Sequence, residues 1–372
     1  MATHDDPPRE SAFLEAVGVL GPALLGCLAS LEAAQRQLHP PAIPKLRELL
    51  SPGAQRLREA IDTFRAVAPP DALASVGEQL CRAADQAHDA AQLFCESSAP
   101  GQEVARVLRS MHLHCRAQAA LYPLRRVLPP VSRYFLEPEF APPSDAIDPP
   151  SADPERVGIF DAHSEPGARG GFCLYVPEWY DEDHAWPLVV ALHGGSGHGA
   201  DFLWTWLREA RGRGCLLLAP TSIGPTWSLQ APEIDARALR SMVAWVSERW
   251  RVDPERVLLT GLSDGATYSL LCGLRDDMPF TALAPVSGVL HPSNLANGNL
   301  RRARGRRIYL VHGALDWMFP VSIARAARDE LERAGSDLLY REVEDLSHTY
   351  PREENARILR WLDPALGRPP AG

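Results

Sequence analysis

Apolar residues recur with different periods in the two halves of the chain. In residues 10–127 they return every three or four positions, as in "VGEQLCRAADQAHDAAQLF", where Val76, Leu80, Ala83, Ala87 and Phe94 share one face. That spacing predicts amphipathic helices. The pattern is interrupted at Pro40-Pro41, Pro52-Gly53, Pro69-Pro70 and Pro100-Gly101. About four helices with short connections predict an antiparallel helical bundle.

Short, continuous apolar runs replace this pattern in the C-terminal half. The runs are "GFCLYVPEWY", "PLVVALHG", "CLLLAPT", "RVLLTGLS", "ALAPVSG" and "RIYLVHG". Helical patterns separate them, notably "DARALRSMVAWVSERW". Buried strands that alternate with helices predict an α/β fold with a mostly parallel, doubly wound sheet.

A proline-rich segment separates the two patterns. It holds eight prolines from Pro129 to Pro154, a density that disfavours a regular helix or an interior strand. We therefore predict a helical bundle at 1–128, an extended linker at 129–156 and an α/β domain at 157–372.

Charge, cysteine content and the N-terminus narrow the class of protein. The net charge of −9 disfavours a nucleic-acid binder, which needs a basic surface. The seven cysteines are scattered and include no C-x-x-C pair, so we expect reduced thiols and neither a disulfide framework nor a metal site. The acidic start lacks the basic region of a secretory signal. The uncharged residues 16–30 are few for a membrane span and contain Pro22, which favours a buried helix and a cytoplasmic protein.

Polar residues directly after the predicted strands are the candidates for chemistry, because ligands of such sheets bind at the carboxyl ends of the strands. Ser263 follows "RVLLTG" and lies in Gly261-Leu262-Ser263-Asp264-Gly265. A G-x-S-x-G turn between a strand and a helix is typical of an exposed serine nucleophile. The competing interpretation is a glycine-rich turn in an unrelated doubly wound fold.

A serine nucleophile needs a base, and in this architecture the base follows the serine in sequence. Three histidines meet that condition: His291, His312 and His348. His348 lies on a loop after the last predicted strand, in "LLYREVEDL", and is favoured, whereas His312, at a strand end, suits a structural role beneath the site.

An acid must orient the base. Asp316 lies past a strand end, between Ser263 and His348, and is preferred. Asp345 is the fallback, because it lies only three positions before His348, close enough to serve the loop alone.

Backbone N–H groups that stabilise an oxyanion leave glycine as their sequence signature. "HGGSGHG" follows the first central strand, and the predicted donors are the N–H groups of Gly195 and Asp264. A phosphate-binding loop is disfavoured, because neither G-x-x-x-x-G-K-[ST] nor G-x-G-x-x-G is present.

Residues 157–363 resemble serine esterases of the α/β-hydrolase superfamily. The similarity rests on "PLVVALHGGSG", "DPERVLLTGLSDGAT", "APVSG", "VHGALDWMFPV" and "LSHTYP", which are similar to the phospholipase/carboxylesterase group and to polyhydroxybutyrate-depolymerase-type esterases. The resemblance implies a Ser263, Asp316, His348 triad and an acyl-enzyme. Asp264 departs from it, since relatives often carry Gln or a small residue there. Its charge opposes an oxyanion unless it points away or is paired.

The predicted function is hydrolysis of a small-molecule ester, with no metal or organic cofactor. Trp227 and Trp317, on strand-end loops, are candidates for the substrate pocket. The same triad also suits a thioesterase or a serine peptidase. A different class of function, a non-catalytic binding or scaffold protein, would work through residues 1–128, which could also bind a protein partner or self-associate.

Overall fold

The computed structural model describes residues 7–97, 102–140, 144–165 and 167–367. The chain forms two compact units, Met1–Phe135 and Leu136–Gly372. The predicted interruption at Pro100-Gly101 lies outside the described residues.

The N-terminal unit is helical, as the apolar spacing predicts. Its helices are α1 (Pro7–Arg36), α2 (Ile43–Arg65), α3 (Ala74–Cys95), α4 (Glu103–Leu121) and the short α5 (Pro129–Tyr134). Helix α1 packs on α2, α2 packs on α3, and α3 packs on α4. The predicted N-terminal helical region is confirmed.

The predicted break at Pro52-Gly53 is wrong, because α2 continues through both residues. Leu50 and Leu57 are buried on either side of the proline. A proline inside a helix costs roughly 3 kcal/mol. The apolar stripe keeps its helical register across the proline, and its packing against α1 outweighs that cost.

Helix α1 is buried along one face. Leu20, Leu24 and Leu28 are fully buried, whereas Val19 is 53% exposed. Among the described residues one helix, Pro8–Arg36 within α1, is long and apolar enough to cross a membrane. Core helices of soluble proteins and N-terminal signals share those properties, so this is weak evidence for a membrane span.

The segment 129–156 is not uniformly extended, in contrast to the prediction. Prolines occupy the first positions of α5, where a missing N–H costs no helical hydrogen bond. Ser144–Ile147 forms a further short helix, α6. Glu137 is bound to Arg213 of the C-terminal unit by two hydrogen bonds, of 2.6 and 2.7 Å. The part after Phe135 therefore belongs to the C-terminal unit, and a linker between independently folding domains stays a prediction.

Among its described residues, the C-terminal unit is built on one eight-stranded sheet. Its strands are β1 (Gly158–Ala162), β2 (Phe172–Val176), β3 (Trp186–Leu192), β4 (Leu216–Pro220), β5 (Val252–Leu262), β6 (Ala282–Val286), β7 (Arg307–Gly313) and β8 (Asp337–Val343). The strand order is β1-β2-β4-β3-β5-β6-β7-β8. Strand β2 pairs antiparallel with β1 and β4, and all other pairs are parallel. The predicted mostly parallel α/β sheet is confirmed.

The sequence pattern missed only β1 among these strands. All residues of β3 and β6 are buried, so those strands are continuous apolar runs in the sequence. Strand β1 lies at the sheet edge, and most of its residues are partly or fully exposed. An edge strand of five residues leaves no such apolar run.

Helices lie between and after the strands. They are α7 (Gly199–Arg213), α8 (Glu233–Arg249), α9 (Asp264–Gly273), α10 (Ser293–Ala296), α11 (Asn299–Arg302), α12 (Val321–Arg333) and α13 (Glu353–Leu362). Helix α8 corresponds to the predicted helix "DARALRSMVAWVSERW", whose apolar residues Leu239, Val243 and Val246 are buried. Because β3, β5, β7 and β8 run in parallel, the loops that follow them meet at one edge of the sheet.

Candidate active site

Ser263 occupies a strained turn between β5 and α9. Its backbone has φ 55° and ψ −115°, a conformation that residues other than glycine rarely adopt. A Cβ on Gly265 would lie 2.5 Å from the carbonyl oxygens of Leu192 and His193, and a Cβ on Gly261 would lie 2.6 Å from the carbonyl carbon of Gly265. The two flanking glycines are therefore needed for the close packing that holds the turn.

Three of the predicted residues meet by hydrogen bonding at this edge. His348 Nε2 lies 3.0 Å from Ser263 Oγ, and His348 Nδ1 lies 2.8 Å from Asp316 Oδ2. An ionised carboxylate only accepts, so Nδ1 carries the proton and Nε2 is free to accept from the serine hydroxyl. The arrangement can transfer a proton away from Ser263 Oγ.

Asp316 is held in position from both sides. Its Oδ1 accepts the N–H groups of Met318 at 2.9 Å and Phe319 at 2.8 Å, while Oδ2 faces His348. Burial by itself would raise the pKa of Asp316, but the hydrogen bonds from His348 and the Phe319 N–H outweigh burial and lower it. Asp316 is thus a stable anion that can orient the imidazole and stabilise its cation.

His312 lies beneath this group. It is fully buried, and its Nε2 is 2.8 Å from the Phe319 carbonyl oxygen and 3.4 Å from Asp316 Oδ2. The contact fixes the loop that carries Asp316, in keeping with the structural role that the sequence favoured for His312.

His291 and Asp345 lie apart from the proton path. His291 Nδ1 accepts the N–H of Ser293 at 3.3 Å. Asp345 is exposed, and it is Asp316 that contacts His348 Nδ1. The geometry therefore favours Asp316 over Asp345 and His348 over His291.

The two predicted oxyanion donors lie on either side of the serine turn. The N–H of Asp264 is the first of α9 and has no acceptor within the helix. No described backbone carbonyl accepts the N–H of Gly195. A Cβ on Gly194 would lie 3.7 Å from Ser263 Cβ, so the loop after β3 passes directly beside the nucleophile candidate.

His193 fixes the start of that loop. Its Nδ1 lies 2.6 Å from the Gly194 carbonyl oxygen, and its Nε2 accepts the N–H of Ser222 at 3.1 Å. Burial lowers the pKa of His193 to about 4, and the Gly194 hydrogen bond offsets this only in part. The imidazole is therefore neutral, as an acceptor for Ser222 must be.

Arg169 joins the same loop to the loop after β4. Its guanidinium donates to the carbonyl oxygens of Gly197 at 2.7 Å and Gly224 at 2.9 Å, and it also contacts the Ser222 hydroxyl. Arg169 was not among the sequence-predicted residues, because it lies between β1 and β2, far from any strand end that the pattern marks. Its only sequence signal is the surrounding glycine-rich stretch "GARGG".

The prediction that Trp227 lines the substrate pocket is wrong. Its side chain is 2% exposed, stacks on Tyr268 at 5.4 Å and donates its indole N–H to the His193 carbonyl at 2.8 Å. Trp227 supports the loop after β3 from within the core and leaves almost no surface for a substrate.

Trp317, in contrast, is 45% exposed directly beside Asp316. Leu315 and Met318 on the same loop are also exposed. This apolar surface at the rim of the site can contact a substrate, so the pocket role of Trp317 stays a prediction.

The carboxylate of Asp264 is hydrogen-bonded to the loop after β4. Its Oδ2 accepts the hydroxyl of Thr226 at 2.6 Å. A Cβ on Gly195 would lie 2.8 Å from the same oxygen, so the carboxylate rests against the glycine loop. Among the described residues, no group of three or more His, Cys, Asp and Glu side chains is placed to hold a metal ion.

Comparison with known proteins shows that part of the chain is similar to one protein family. The family model described as phospholipase/carboxylesterase matches residues 235–365. That range contains Ser263, Asp316 and His348, but it begins after Gly195. No curated protein matches the chain.

Several solved structures are similar to part of the chain. A thermostable esterase is 21% identical with a TM-score of 0.46, and the alignment covers 56% of this chain and 62% of that one. Esterase PE8 is 22% identical with a TM-score of 0.42, covering 56% and 98%. Acyl-protein thioesterase 2 of Zea mays is 17% identical with a TM-score of 0.41, covering 52% and 99%. This chain thus spans less than two thirds of the thermostable esterase.

Proposed function

We propose that the C-terminal unit, whose residues 235–365 match the phospholipase/carboxylesterase family model, is a serine hydrolase that cleaves carboxylic esters through an acyl-enzyme. The observation that carries the proposal is the hydrogen-bonded series from Ser263 Oγ to His348 and from His348 to Asp316. Such a series is what a serine needs to act as a nucleophile.

In the first half of the reaction, His348 Nε2 takes the proton of Ser263 as Oγ attacks the carbonyl carbon of the ester. The N–H groups of Gly195 and Asp264 stabilise the oxyanion that forms. The intermediate collapses when the bond to the alcohol oxygen breaks and His348 gives its proton to that oxygen. Alcohol leaves, and the acyl group stays on Ser263.

In the second half, water takes the place of the serine hydroxyl. His348 accepts a proton from water as the water oxygen attacks the acyl carbon, and it returns the proton to Ser263 Oγ as the acyl bond breaks. Asp316 stabilises the imidazolium in both halves. The products are a carboxylic acid, an alcohol and the free enzyme.

Labelling with a fluorophosphonate probe tests the nucleophile. We expect the full-length protein to be labelled and Ser263→Ala to be unlabelled, with ester turnover at least about a thousandfold lower. The control is Ser269→Ala, since Ser269 lies on the same helix but bonds the Ala266 carbonyl. Labelling that survives Ser263→Ala would reject this serine.

His348 and Asp316, the two proposed partners of Ser263, are tested by turnover of a chromogenic ester. His348→Ala and Asp316→Asn should each lower kcat by about three to four orders of magnitude, because either change interrupts the proton path. Normal turnover in either variant would reject that partner. A parallel panel of acyl thioesters and aminoacyl amides separates an esterase from a thioesterase and from a peptidase. A wild-type protein that neither reacts with the probe nor turns over any of these substrates would instead favour a binding or scaffold function.

A further inference from the structure

Asp264 places a carboxylate beside the atoms that bind the oxyanion. The residue directly follows Ser263, and its own N–H is one of the two proposed donors. Its side chain lies against the loop of the second donor, because Oδ2 would be 2.8 Å from a Cβ on Gly195. The carboxylate therefore lies against the loop whose N–H is the second proposed donor.

Thr226 keeps the carboxylate in that place. The hydroxyl of Thr226 donates to Oδ2 at 2.6 Å. A single hydrogen bond from a neutral hydroxyl fixes a carboxylate without neutralising it. A carboxylate has about four acceptor positions, so most of its capacity is left for other donors.

No described cation neutralises Asp264. Among the described arginines and histidines, none lies within ion-pair distance of its carboxylate. The basic groups of the site have other partners, since His348 faces Asp316 and Arg169 donates to backbone carbonyls and Ser222. The start of α9 offers partial positive charge, which explains how the fold tolerates the carboxylate. Asp264 is partly exposed.

A negative charge that no cation pairs, placed beside an oxyanion, raises the energy of the transition state, unless the substrate brings a positive charge to the same place. We propose that Asp264 is a specificity-determining residue that selects esters whose acyl group carries a positive charge and disfavours those whose acyl group carries a negative charge. This inference rests on the proposed ester hydrolysis and deepens it by naming a substrate class.

Three matched p-nitrophenyl esters test the proposal. They share a butanoyl chain and end in a trimethylammonium, a tert-butyl or a sulfonate group, so that shape is constant and charge varies. In the full-length wild type we expect kcat/KM for the ammonium ester to exceed that of the tert-butyl ester by about tenfold, and the sulfonate ester to be slower by a similar factor. The ammonium preference should shrink as salt is added.

Asp264→Asn is the decisive variant, because it keeps the backbone N–H, the side-chain shape and an acceptor for Thr226. We expect the ammonium to tert-butyl ratio to fall to about one and the sulfonate ester to become a better substrate. Glu344→Gln is the matched control, since it removes the same charge from an exposed side chain and should leave the ratios unchanged. Thr226→Val is the second variant, and it should lower the ammonium preference because the carboxylate is no longer held.

Wild-type ratios near one, or ratios that Asp264→Asn does not change, would overturn the proposal while Ser263-dependent hydrolysis still stands. If the wild type hydrolyses none of the three esters and does not react with the fluorophosphonate probe, the proposed function itself fails, and the selectivity with it.

Discussion

At the scale of single residues, burial decides the charge of His193. The ring packs against Trp227 at 4.9 Å between centroids, and both of its nitrogens have backbone partners. A protonated ring could not accept the Ser222 N–H, so the loop after β3 depends on a neutral imidazole. The low pKa is therefore tied to the stability of the C-terminal unit.

The direction in which stability changes with pH follows from proton uptake by His193. An unfolded histidine has a pKa of about 6.5, whereas the pKa of His193 in the fold is about 4. Between these values the unfolded chain binds more protons, so stability is lost as pH falls from about 6.5 toward 4, by about 3 kcal/mol in total.

We expect His193→Gln to lose less unfolding free energy than the wild type between pH 7 and pH 4.5, as measured by calorimetry of the C-terminal unit. The control is His184→Gln, whose ring is exposed beside Asp181. If wild type and His193→Gln lost equal unfolding free energy between pH 7 and pH 4.5, another group would control the acid destabilisation.

At the scale of elements, the turn from β5 into α9 depends on close approach of backbones. Gly265 faces the end of β3, and the carbonyl oxygens there belong to the centre of the sheet and cannot move aside. The glycine is therefore a packing requirement of two elements rather than a local turn preference.

We expect Gly265→Ala to lower the unfolding free energy by about 1–3 kcal/mol and to lower kcat as well, because the added methyl group displaces the loop that carries Gly195. Gly212→Ala is the control, since Gly212 lies in α7 and a Cβ added there would meet no heavy atom closer than 3.5 Å. This variant should gain up to about 1 kcal/mol of unfolding free energy. Thermal unfolding and ester turnover measure both effects. A fully active and stable Gly265→Ala would contradict the packing argument.

At the scale of the whole molecule, the C-terminal unit needs residues that precede its sheet. Arg213 is buried, and its guanidinium is bound by both carboxylate oxygens of Glu137. Arg211 is fully buried and forms an ion pair with Asp148. A buried charge that loses its partner is strongly destabilising.

We expect Glu137→Gln in the full chain to destabilise the C-terminal unit by about 3–5 kcal/mol, because Arg213 is then left with a neutral partner. Likewise, a truncated chain that begins at Leu136 should unfold at a higher temperature than one that begins at Pro150. The control is Glu139→Gln, which removes an exposed charge nearby. Equal unfolding temperatures for the two truncated chains would mean that the segment 136–149 is dispensable.

The sequence determined the features that depend on neighbours along the chain. A buried strand appears in the sequence as an apolar run, and the carboxyl ends of parallel strands lie at one edge of the sheet. Ser263, Asp316 and His348 could therefore be predicted from the sequence. The turn at Ser263 was equally visible, since its glycines flank it in sequence. The helix break predicted at Pro52 does not occur, because packing against α1 outweighs the low helix propensity of proline there.

Only the tertiary structure decided how side chains meet across loops. It brought Asp316 rather than Asp345 to His348, buried Trp227 in the core, joined Arg169 to two loops and set Thr226 against Asp264. These contacts join residues separated by 28 to 55 positions, as in the 32 between Asp316 and His348 and the 38 between Thr226 and Asp264. Such distances depend on how the loops pack in space, and no local pattern of apolar and polar residues encodes them.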